Sequence, residues 1–244
     1  MISKASPNWS LYEKAHRALR RHSRYAAGIV LDIGCGKKPF LDVFEGCVDR
    51  YIGLDIPSKI DRPDANERAA RTDLYGDGLS LPLKDASVDT VLAFFVIEHI
   101  FPYDGLFREA HRVLKRGGLL MVISPLMNVL HEEPYDYFRF TGHALKLMAL
   151  KHEFSPLRIT PLGGEWLFWG NRIASHIHRN MGSAFGLRVR EKLSYLAQRA
   201  TLWLDERCTP NAFVCNYLSV FQKGDRGGDE SCGRAGMSCV GVTR

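Results

Sequence analysis

A glycine turn near the start of the chain has the residue types of a cofactor-binding loop. Residues 29–33 form an apolar run interrupted only by Asp32, and Gly34, Cys35 and Gly36 follow directly. An apolar run that ends in glycine predicts a buried parallel strand and a tight turn that a ligand can approach closely. The acid favours a ligand with cationic character. A turn of this kind also occurs as a plain strand-to-helix connection.

A second acid follows at a distance typical of nucleotide-binding sheets. Asp55 ends the apolar segment 51–55 and lies 23 residues after Asp32. At this spacing a carboxylate can accept hydrogen bonds from both hydroxyls of a ribose. Otherwise such an acid caps the following helix. The dinucleotide fingerprint itself is incomplete, because Pro39 stands where its third glycine belongs, and this disfavours an NAD-dependent reductase.

The segment 30–36 resembles the first motif of the class I S-adenosylmethionine-dependent methyltransferases, and later segments resemble further motifs in the same order. Residues 76–83 resemble the adenine-contacting segment, in which Asp77 is the implied acceptor and Asp73 the alternative. Residues 85–99 resemble the fourth motif, and residues 109–123 resemble a structural helix–strand segment of the family. The resemblance covers residues 28–125. It implies S-adenosylmethionine as cofactor, with these contacts: Asp32, Gly34, Cys35, Gly36, Asp55, Ile56, Asp77, Gly78 and Phe94.

Two histidines are candidates for acid–base chemistry on a methyl acceptor. His99 follows Glu98 after one predicted strand, and His131 begins a loop rich in titratable and aromatic residues after the next strand. Ligands bind outside the carboxyl ends of parallel strands, and histidine is the side chain best suited to take a proton near neutral pH. We expect His131 to be the base, oriented by Glu132 or Glu133, with His99 as the alternative. Equally, these residues order the loop, and Glu98 and His99 begin a helix.

The pattern of apolar segments predicts an α/β fold. Strands are predicted at 29–33, 51–55, 88–94, 119–124, 157–160 and 212–221, with helices at 9–22, from Pro39, at 106–116 and at 141–151. The resemblance implies a Rossmann-like three-layer sandwich with a mostly parallel seven-stranded sheet, whose last strand is antiparallel.

We predict one domain over residues 1–222. It begins with a basic helix within 1–25 and contains a helical insert at 162–208; residues 223–244 are Gly-rich and predicted to be disordered. In the insert, apolar residues recur at helical spacing at 166–177 and 189–203, with basic residues beside them. Such helices pack on the core, form a homodimer or dock on an anionic membrane; packing or dimerisation is favoured.

Composition narrows the remaining possibilities. The six cysteines lack zinc-site spacing, so no metal site is predicted, and they indicate free thiols of a reducing compartment. The net charge of +6 is concentrated at residues 1–25 and 158–208, whereas residues 26–157 carry fifteen basic against nineteen acidic residues. An acidic core argues against a nucleic-acid substrate. Without an apolar signal region or a membrane-spanning run, we expect a cytoplasmic protein, with contact at the inner face of the membrane left open.

Together these features predict methyl transfer from S-adenosylmethionine to a small molecule, without a metal. The loop at 131–141 resembles a segment of methyltransferases from cell-surface sugar and lipid pathways, which implies a sugar or lipid-linked acceptor. The alternative is a catalytically inert cofactor-binding protein whose insert docks on a partner or a membrane.

Overall fold

A computed structural model describes residues 3–56, 72–180, 186–208 and 213–224. Its centre is one seven-stranded sheet with the strand order β3-β2-β1-β4-β5-β7-β6. The strands are β1 (Ile29–Ile33), β2 (Arg50–Asp55), β3 (Leu74–Tyr75), β4 (Val88–Phe94), β5 (Leu114–Pro125), β6 (Phe154–Leu162) and β7 (Asn216–Lys223).

Neighbouring strands are parallel except where β7 pairs with β5 and with β6. The expected Rossmann-like arrangement with an antiparallel last strand is therefore confirmed. The carboxyl ends of β1, β2, β3, β4 and β5 meet at one edge of the sheet, which is where ligands bind in such folds.

The helices in the described part of the chain are α1 (Trp9–His22), α2 (Leu41–Phe44), α3 (Tyr103–Val113), α4 (Gly142–Lys151), α5 (Glu165–Asn180) and α6 (Leu187–Cys208). Two buried clusters cover the opposite faces of the sheet: one centres on Phe107, the other on Phe44. Thr141 caps α4 through its hydroxyl, which accepts a hydrogen bond from the Ala144 N–H, as its position in the sequence predicts.

Some predicted boundaries were wrong. The helix expected from Pro39 is only the four-residue α2, and α3 ends at Val113 because Leu114 already lies in β5. Lys115 is therefore a strand residue, and its ammonium pairs with Asp89 at 2.8 Å. The last strand begins at Asn216 and extends to Lys223, beyond the predicted limit. The predicted disorder of residues 223–244 is wrong for Lys223, which lies in β7; residues 225–244 lie outside the described residues, as do residues 57–71.

The N-terminal helix is tied to the insert. Trp9 of α1 is buried with Leu167 of α5 and Leu202 of α6, and the Lys14 ammonium lies 2.9 Å from the Asp205 carboxylate of α6. Gly170 lets the two insert helices approach closely, since an added Cβ would collide with Thr201. The basic N-terminal helix is thus packed on one face rather than solvated all round.

The second insert helix, α6, buries the face opposite to the one that its sequence pattern predicts. The buried face of α6 carries mostly polar residues (Ser194, Gln198, Thr201, Leu202 and Asp205), whereas its apolar repeat is exposed. We call this exposed repeat the outer stripe: Val189, Leu193, Leu196, Ala200 and Trp203. The buried polar face bonds to α1 and to the loop before α5, through contacts such as the Ser10 N–H to Gln198 at 2.9 Å. Of the alternatives expected for the apolar repeat of α6, packing on the core is therefore wrong, and a homodimer or a membrane contact stays open.

Among the residues that the structure describes, every helix is too short or too polar to cross a bilayer. The four cysteines in this part, Cys35, Cys47, Cys208 and Cys215, are free thiols.

Candidate functional site

The glycine turn after β1 holds the carboxyl ends of β1 and β2 together. The N–H groups of Gly34 and Cys35 both donate to the Leu54 carbonyl, at 2.8 and 3.0 Å. Gly34 has φ +69°, and a Cβ there would lie 2.6 Å from Val96. Gly36 has φ +50°, but a Cβ there would meet no atom of the described residues within 4 Å. The turn therefore leaves open space directly beside Gly36, where a ligand could approach the backbone.

Asp55 is fixed at the end of β2, facing this turn. One carboxylate oxygen accepts from the Gly36 N–H at 2.9 Å and the other from the Ile56 N–H at 2.8 Å. The residue is 8% exposed. Each carboxylate oxygen has a second lone pair, so a held carboxylate at this edge can still accept hydrogen bonds from a vicinal diol. Ile56 follows it at the limit of the described segment.

Asp32 lies inside the sheet at the end of β1 and is 4% exposed. Burial raises the pKa of its carboxyl to about 7, although the Tyr51 hydroxyl and the Lys38 ammonium act in the opposite direction. Lys38 itself pairs with Asp73 at 2.6 Å. A buried acid with this pKa gains from a nearby cation, which suits a cationic ligand.

The segment after β3 brings Asp77 and Gly78 to the same edge, since β3 runs parallel beside β2. Asp77 is exposed and accepts from the Leu79 N–H at 2.9 Å. Gly78 is buried, with Ile100 and Ile33 3.2 and 3.3 Å from an added Cβ. The alternative acid, Asp73, holds Lys38 and the Gly53 N–H, so its role is structural and Asp77 is the better candidate for the adenine contact.

Two of the expected cofactor residues are packed in the core. Phe94 is 7% exposed and its ring lies against Phe40 and Phe44, with centroids 5.5 and 6.4 Å away. Burial raises the pKa of the Cys35 thiol to about 12, so this thiol is neutral. The side chains of Phe94 and Cys35 are thus buried beneath the edge of the sheet. Phe95 was not among the predicted site residues. It directly follows β4 with φ +55°, is only partly buried, and its ring lies against Tyr12 of α1.

Glu98 marks the second half of the edge, after β4. It lies in a single 3-10 turn at Ile97–His99 and is 0% exposed, yet neither carboxylate oxygen has a hydrogen-bond partner among the described residues. Burial raises the pKa of this carboxyl to about 8. Buried polar groups are almost always satisfied, so an unpartnered buried carboxylate requires an explanation.

His99 and His131 both approach Glu98. Their Nε2 atoms each lie 3.9 Å from Glu98 Oε1, and the two rings meet edge to face at 4.8 Å. The predicted pair from two separate strand ends is therefore brought together. His99 Nδ1 lies 2.6 Å from the Tyr135 carbonyl, so the hydrogen bond to backbone that the sequence left open is present as well.

An acid that was not expected, Asp136, contacts His131. Asp136 accepts from the His131 N–H at 3.0 Å, and its Oδ2 lies 3.4 Å from His131 Nδ1. Arg139 holds Asp136 with two hydrogen bonds of 2.6 and 2.7 Å, which keep the pKa of that carboxyl far below its usual range. Glu133 is exposed to solvent. Asp136 is thus an additional acid at the His131 ring, and the orienting role of Glu132 or Glu133 stays a prediction.

The edge thus has two chemically different halves side by side, because β1 and β4 are neighbours. Two carboxylates and an open glycine turn lie at β1 and β2, and a glutamate–histidine cluster lies beyond β4. The first half suits a cationic ligand with a ribose. The second suits a group that must lose a proton.

Comparison with known proteins decides the family. Residues 31–122 match the family model described as "Methyltransferase domain". A probable S-adenosylmethionine-dependent methyltransferase of Mycolicibacterium smegmatis is 38% identical over 103 residues, which are 42% of this chain and 40% of that protein.

Residues 31–122 form a class I methyltransferase domain. The methyl donor of this class is S-adenosylmethionine, so the predicted family and cofactor are confirmed for this domain. The chain spans only 37–40% of the length of the first curated relatives it matches.

Solved structures show the same fold. An S-adenosylmethionine-dependent methyltransferase from Archaeoglobus fulgidus superposes with a TM-score of 0.56 at 18% identity, covering 87% of this chain and 94% of that one. The [4+2]-cyclase SpnF superposes with a TM-score of 0.58 at 19% identity, covering 87% and 81%. The methyltransferase domain carries the glycine turn, Asp55, Asp77 and Glu98; His131 and the insert lie beyond the matched residues.

Proposed function

We propose that this protein transfers a methyl group from S-adenosylmethionine to a small-molecule acceptor. The observation that carries the proposal is the position of Asp32 and Asp55 at the ends of adjacent strands, beside the open space at Gly36. When bound, the donor supplies an electrophilic methyl group on a positively charged sulfur. Asp55 would bind the ribose hydroxyls, Asp77 the adenine amine, and the buried Asp32 would favour the cationic end of the donor.

The remaining task of the protein is to place the acceptor. Methyl transfer is an in-line displacement in which charge disperses, so positioning and exclusion of water account for most of the rate. β4 lies between the donor half of the edge and the strand that leads to His131. An acceptor held against Glu98, His99 and His131 would thus face the methyl group. We propose that this cluster assists the loss of the acceptor's proton.

The side chains around the cluster indicate the kind of acceptor. Phe101, Leu130 and Tyr135 are among the most exposed apolar residues of the chain, at 65, 68 and 60%, and Tyr137 packs on Phe101. Exposed aromatic rings with a polar end contact both the apolar and the hydroxyl-bearing parts of a ligand. We therefore propose an acceptor with a hydroxyl beside an apolar portion, such as a sugar or lipid-linked intermediate.

An isotope experiment tests the proposal. The protein is incubated with methyl-labelled S-adenosylmethionine and, in parallel, with polar and lipid extracts, and the products are separated by mass spectrometry. We expect the label in a hydroxyl-bearing molecule of the lipid extract. Donor binding without any labelled product from either extract would favour the alternative, an inert cofactor-binding protein. The fold alone does not distinguish a methyltransferase from such a protein, because a cyclase has the same fold.

The outer stripe supports a second proposal, that α6 contacts an anionic membrane surface. The exposed side chains beside the stripe are mainly basic, namely Arg188, Lys192, Arg199 and Arg207, and the Arg207 guanidinium lies 4.2 Å from the Trp203 ring centroid. α5 exposes Trp169 and Ile173 as well. Apolar side chains flanked by cations suit an anionic bilayer, whereas a homodimer through this face would bring like charges together.

Vesicle sedimentation tests this second proposal. We expect the protein to pellet with vesicles of phosphatidylcholine and phosphatidylglycerol, and Leu193→Glu with Leu196→Glu to abolish pelleting. Leu147→Glu, at a leucine of α4 that is more exposed than either, is the control and should leave pelleting unchanged. If the protein does not pellet with vesicles but sediments as a dimer, and the double substitution dissociates this dimer, the outer stripe binds a second copy of the chain instead of a membrane.

A further inference from the structure

The cluster at the acceptor half of the edge has the composition of a metal site. One ligand atom each from Glu98, His99 and His131 lies within 4.8 Å of the other two. These residues come from two segments, one after β4 and one after β5, so their spacing in the sequence gave no ligand pattern. Two imidazoles and one carboxylate are the donor set of first-row transition-metal centres rather than of Mg²⁺ or Ca²⁺.

The hydrogen bonds around the cluster orient both imidazole rings so that one nitrogen of each ring can bind a metal ion. His99 Nδ1 faces the Tyr135 carbonyl at 2.6 Å, and His131 Nδ1 faces the Val129 carbonyl at 3.1 Å. A carbonyl can only accept, so each Nδ1 carries the proton and each Nε2 presents a lone pair. Both Nε2 atoms are the ones near Glu98 Oε1. Metal-binding histidines are oriented by this kind of contact at the other ring nitrogen.

The buried glutamate gives an independent reason for a cation. Glu98 is fully buried, and within the described part of the chain both of its carboxylate oxygens lack a hydrogen-bond partner. An uncompensated buried carboxylate is costly, and a bound cation would compensate it. Arg139, a cation that acts on Glu98 electrostatically, is itself held by Asp136 through two hydrogen bonds.

We propose that Glu98, His99 and His131 bind one divalent first-row transition-metal ion. Around such an ion, neighbouring ligand atoms lie about 3.0–3.6 Å apart, given metal–ligand bonds of about 2.0–2.2 Å. The two nitrogens must therefore each move toward Oε1 by roughly 0.5 Å. His131 lies in a loop and its side chain is 31% exposed, so it can make this movement and also leaves a path for solvent and acceptor.

The role of this ion deepens the proposed function and rests on it, whereas the binding of the ion does not. Three protein ligands leave coordination positions open. An acceptor hydroxyl placed there would pass its proton to solvent water more readily, because a divalent cation stabilises the alkoxide that remains. The cluster would thus act on the acceptor through the metal instead of through a free imidazole.

Cobalt titration tests the site without any activity assay. The full chain, freed of any histidine tag and of metal by a chelator, is titrated with CoCl₂, and the visible absorption bands of the protein-bound ion are followed. Zn²⁺ is then added as a competitor. The variants are Glu98→Gln, which keeps the shape of the side chain, and His131→Ala, which lies outside the core. His176→Ala, at an exposed histidine of α5, is the matched control.

We expect wild type and His176→Ala to bind one Co²⁺ per chain and to release it to Zn²⁺. Glu98→Gln and His131→Ala should each bind Co²⁺ roughly 100-fold more weakly or not at all. Equal Co²⁺ binding in wild type and both variants, or no visible band in wild type, would overturn the proposal. S-adenosylmethionine binding, measured by calorimetry on the same samples, reports separately on the proposed function: its loss with intact Co²⁺ binding would refute methyl transfer but not the metal site.

Discussion

The Tyr51 hydroxyl donates a 2.6 Å hydrogen bond to the Asp32 carboxylate, from β2 to the adjacent β1. This contact lies under the proposed donor site and fixes the acid that faces it. Burial still dominates, so the pKa of Asp32 is raised to about 7 and that of Tyr51 lies far above its usual range. Without a ligand, Asp32 exchanges its proton near neutral pH.

This raised pKa predicts how stability depends on pH. The folded protein holds the Asp32 proton more tightly than the unfolded chain, so the stabilisation is complete below pH 4 and is lost as pH rises toward and through 7. We expect Asp32→Asn to remove this loss and to gain stability relative to wild type at pH 8, by up to about 4 kcal/mol. Urea unfolding at pH 5 and pH 8 measures it; a constant difference between the two proteins would contradict the assignment.

Asp89 provides the matched control. Its pKa is lowered, because hydrogen bonds from Lys115 and the Ile29 N–H outweigh the opposing effect of burial. Asp89→Asn should therefore lose stability relative to wild type at neutral pH, and the difference should shrink as the solution is acidified. The two substitutions should thus act at opposite ends of the pH range.

The two glycines of the turn should respond differently to alanine. Both have positive φ, which costs an alanine about 1 kcal/mol. At Gly34 the new Cβ would also lie 2.6 Å from Val96, so Gly34→Ala should lose a further ~1–3 kcal/mol of stability. Gly36→Ala should fold nearly normally but bind S-adenosylmethionine more weakly, since its Cβ enters the open space. Equal donor affinity of Gly36→Ala and wild type would place the donor elsewhere.

The last strand carries a stabilising contact in a region expected to be tail. Lys223 donates to the carbonyls of His111 and Leu114, at 2.6 and 2.7 Å, where α3 ends and β5 begins. Lys223→Met should lower the free energy of unfolding by about 1–3 kcal/mol, because charge-assisted hydrogen bonds are lost. Lys84→Met, at an exposed lysine, controls for the loss of charge. Similar unfolding curves for both variants would refute a structural role of Lys223.

His131 separates acceptor chemistry from donor binding. His131→Ala should lower turnover by roughly 10²–10⁴ once an acceptor is known, and leave the dissociation constant of S-adenosylmethionine unchanged. His99→Ala should have a comparable effect, since both rings face Glu98. An active His131→Ala beside an inactive His99→Ala would reassign the role to His99, and two active variants would remove the cluster from the chemistry.

Much of the donor half of the site could be predicted from the sequence. The strand 29–33 and the strand 88–94 have the bounds that their apolar runs predict, because a strand buried on both faces leaves a continuous signal. Asp32 and Asp55 end such strands, and parallel pairing alone brings strand ends together. Thr141 likewise begins α4 as its hydroxyl indicates.

The acceptor half depends on geometry that the sequence does not encode locally. Glu132 adopts φ +55°, and Asp136, five residues after His131, reaches the His131 ring. The apolar periodicity of α6 predicted the wrong buried face, for a different reason. Its polar face is buried because Gln198 and Asp205 find partners on α1 and in the loop before α5, and a periodicity cannot show which face has such partners.

The most direct measurement of the central claim is calorimetric titration of the protein with S-adenosylmethionine and, separately, with NAD. We expect one site for S-adenosylmethionine and none for NAD. Asp55→Ala should weaken donor binding by about 2–4 kcal/mol through the loss of two charge-assisted hydrogen bonds, whereas Asp49→Ala, at an exposed acid before β2, should not. Tight binding of NAD without binding of S-adenosylmethionine would contradict the account, and an unchanged dissociation constant in Asp55→Ala would remove Asp55 from the site.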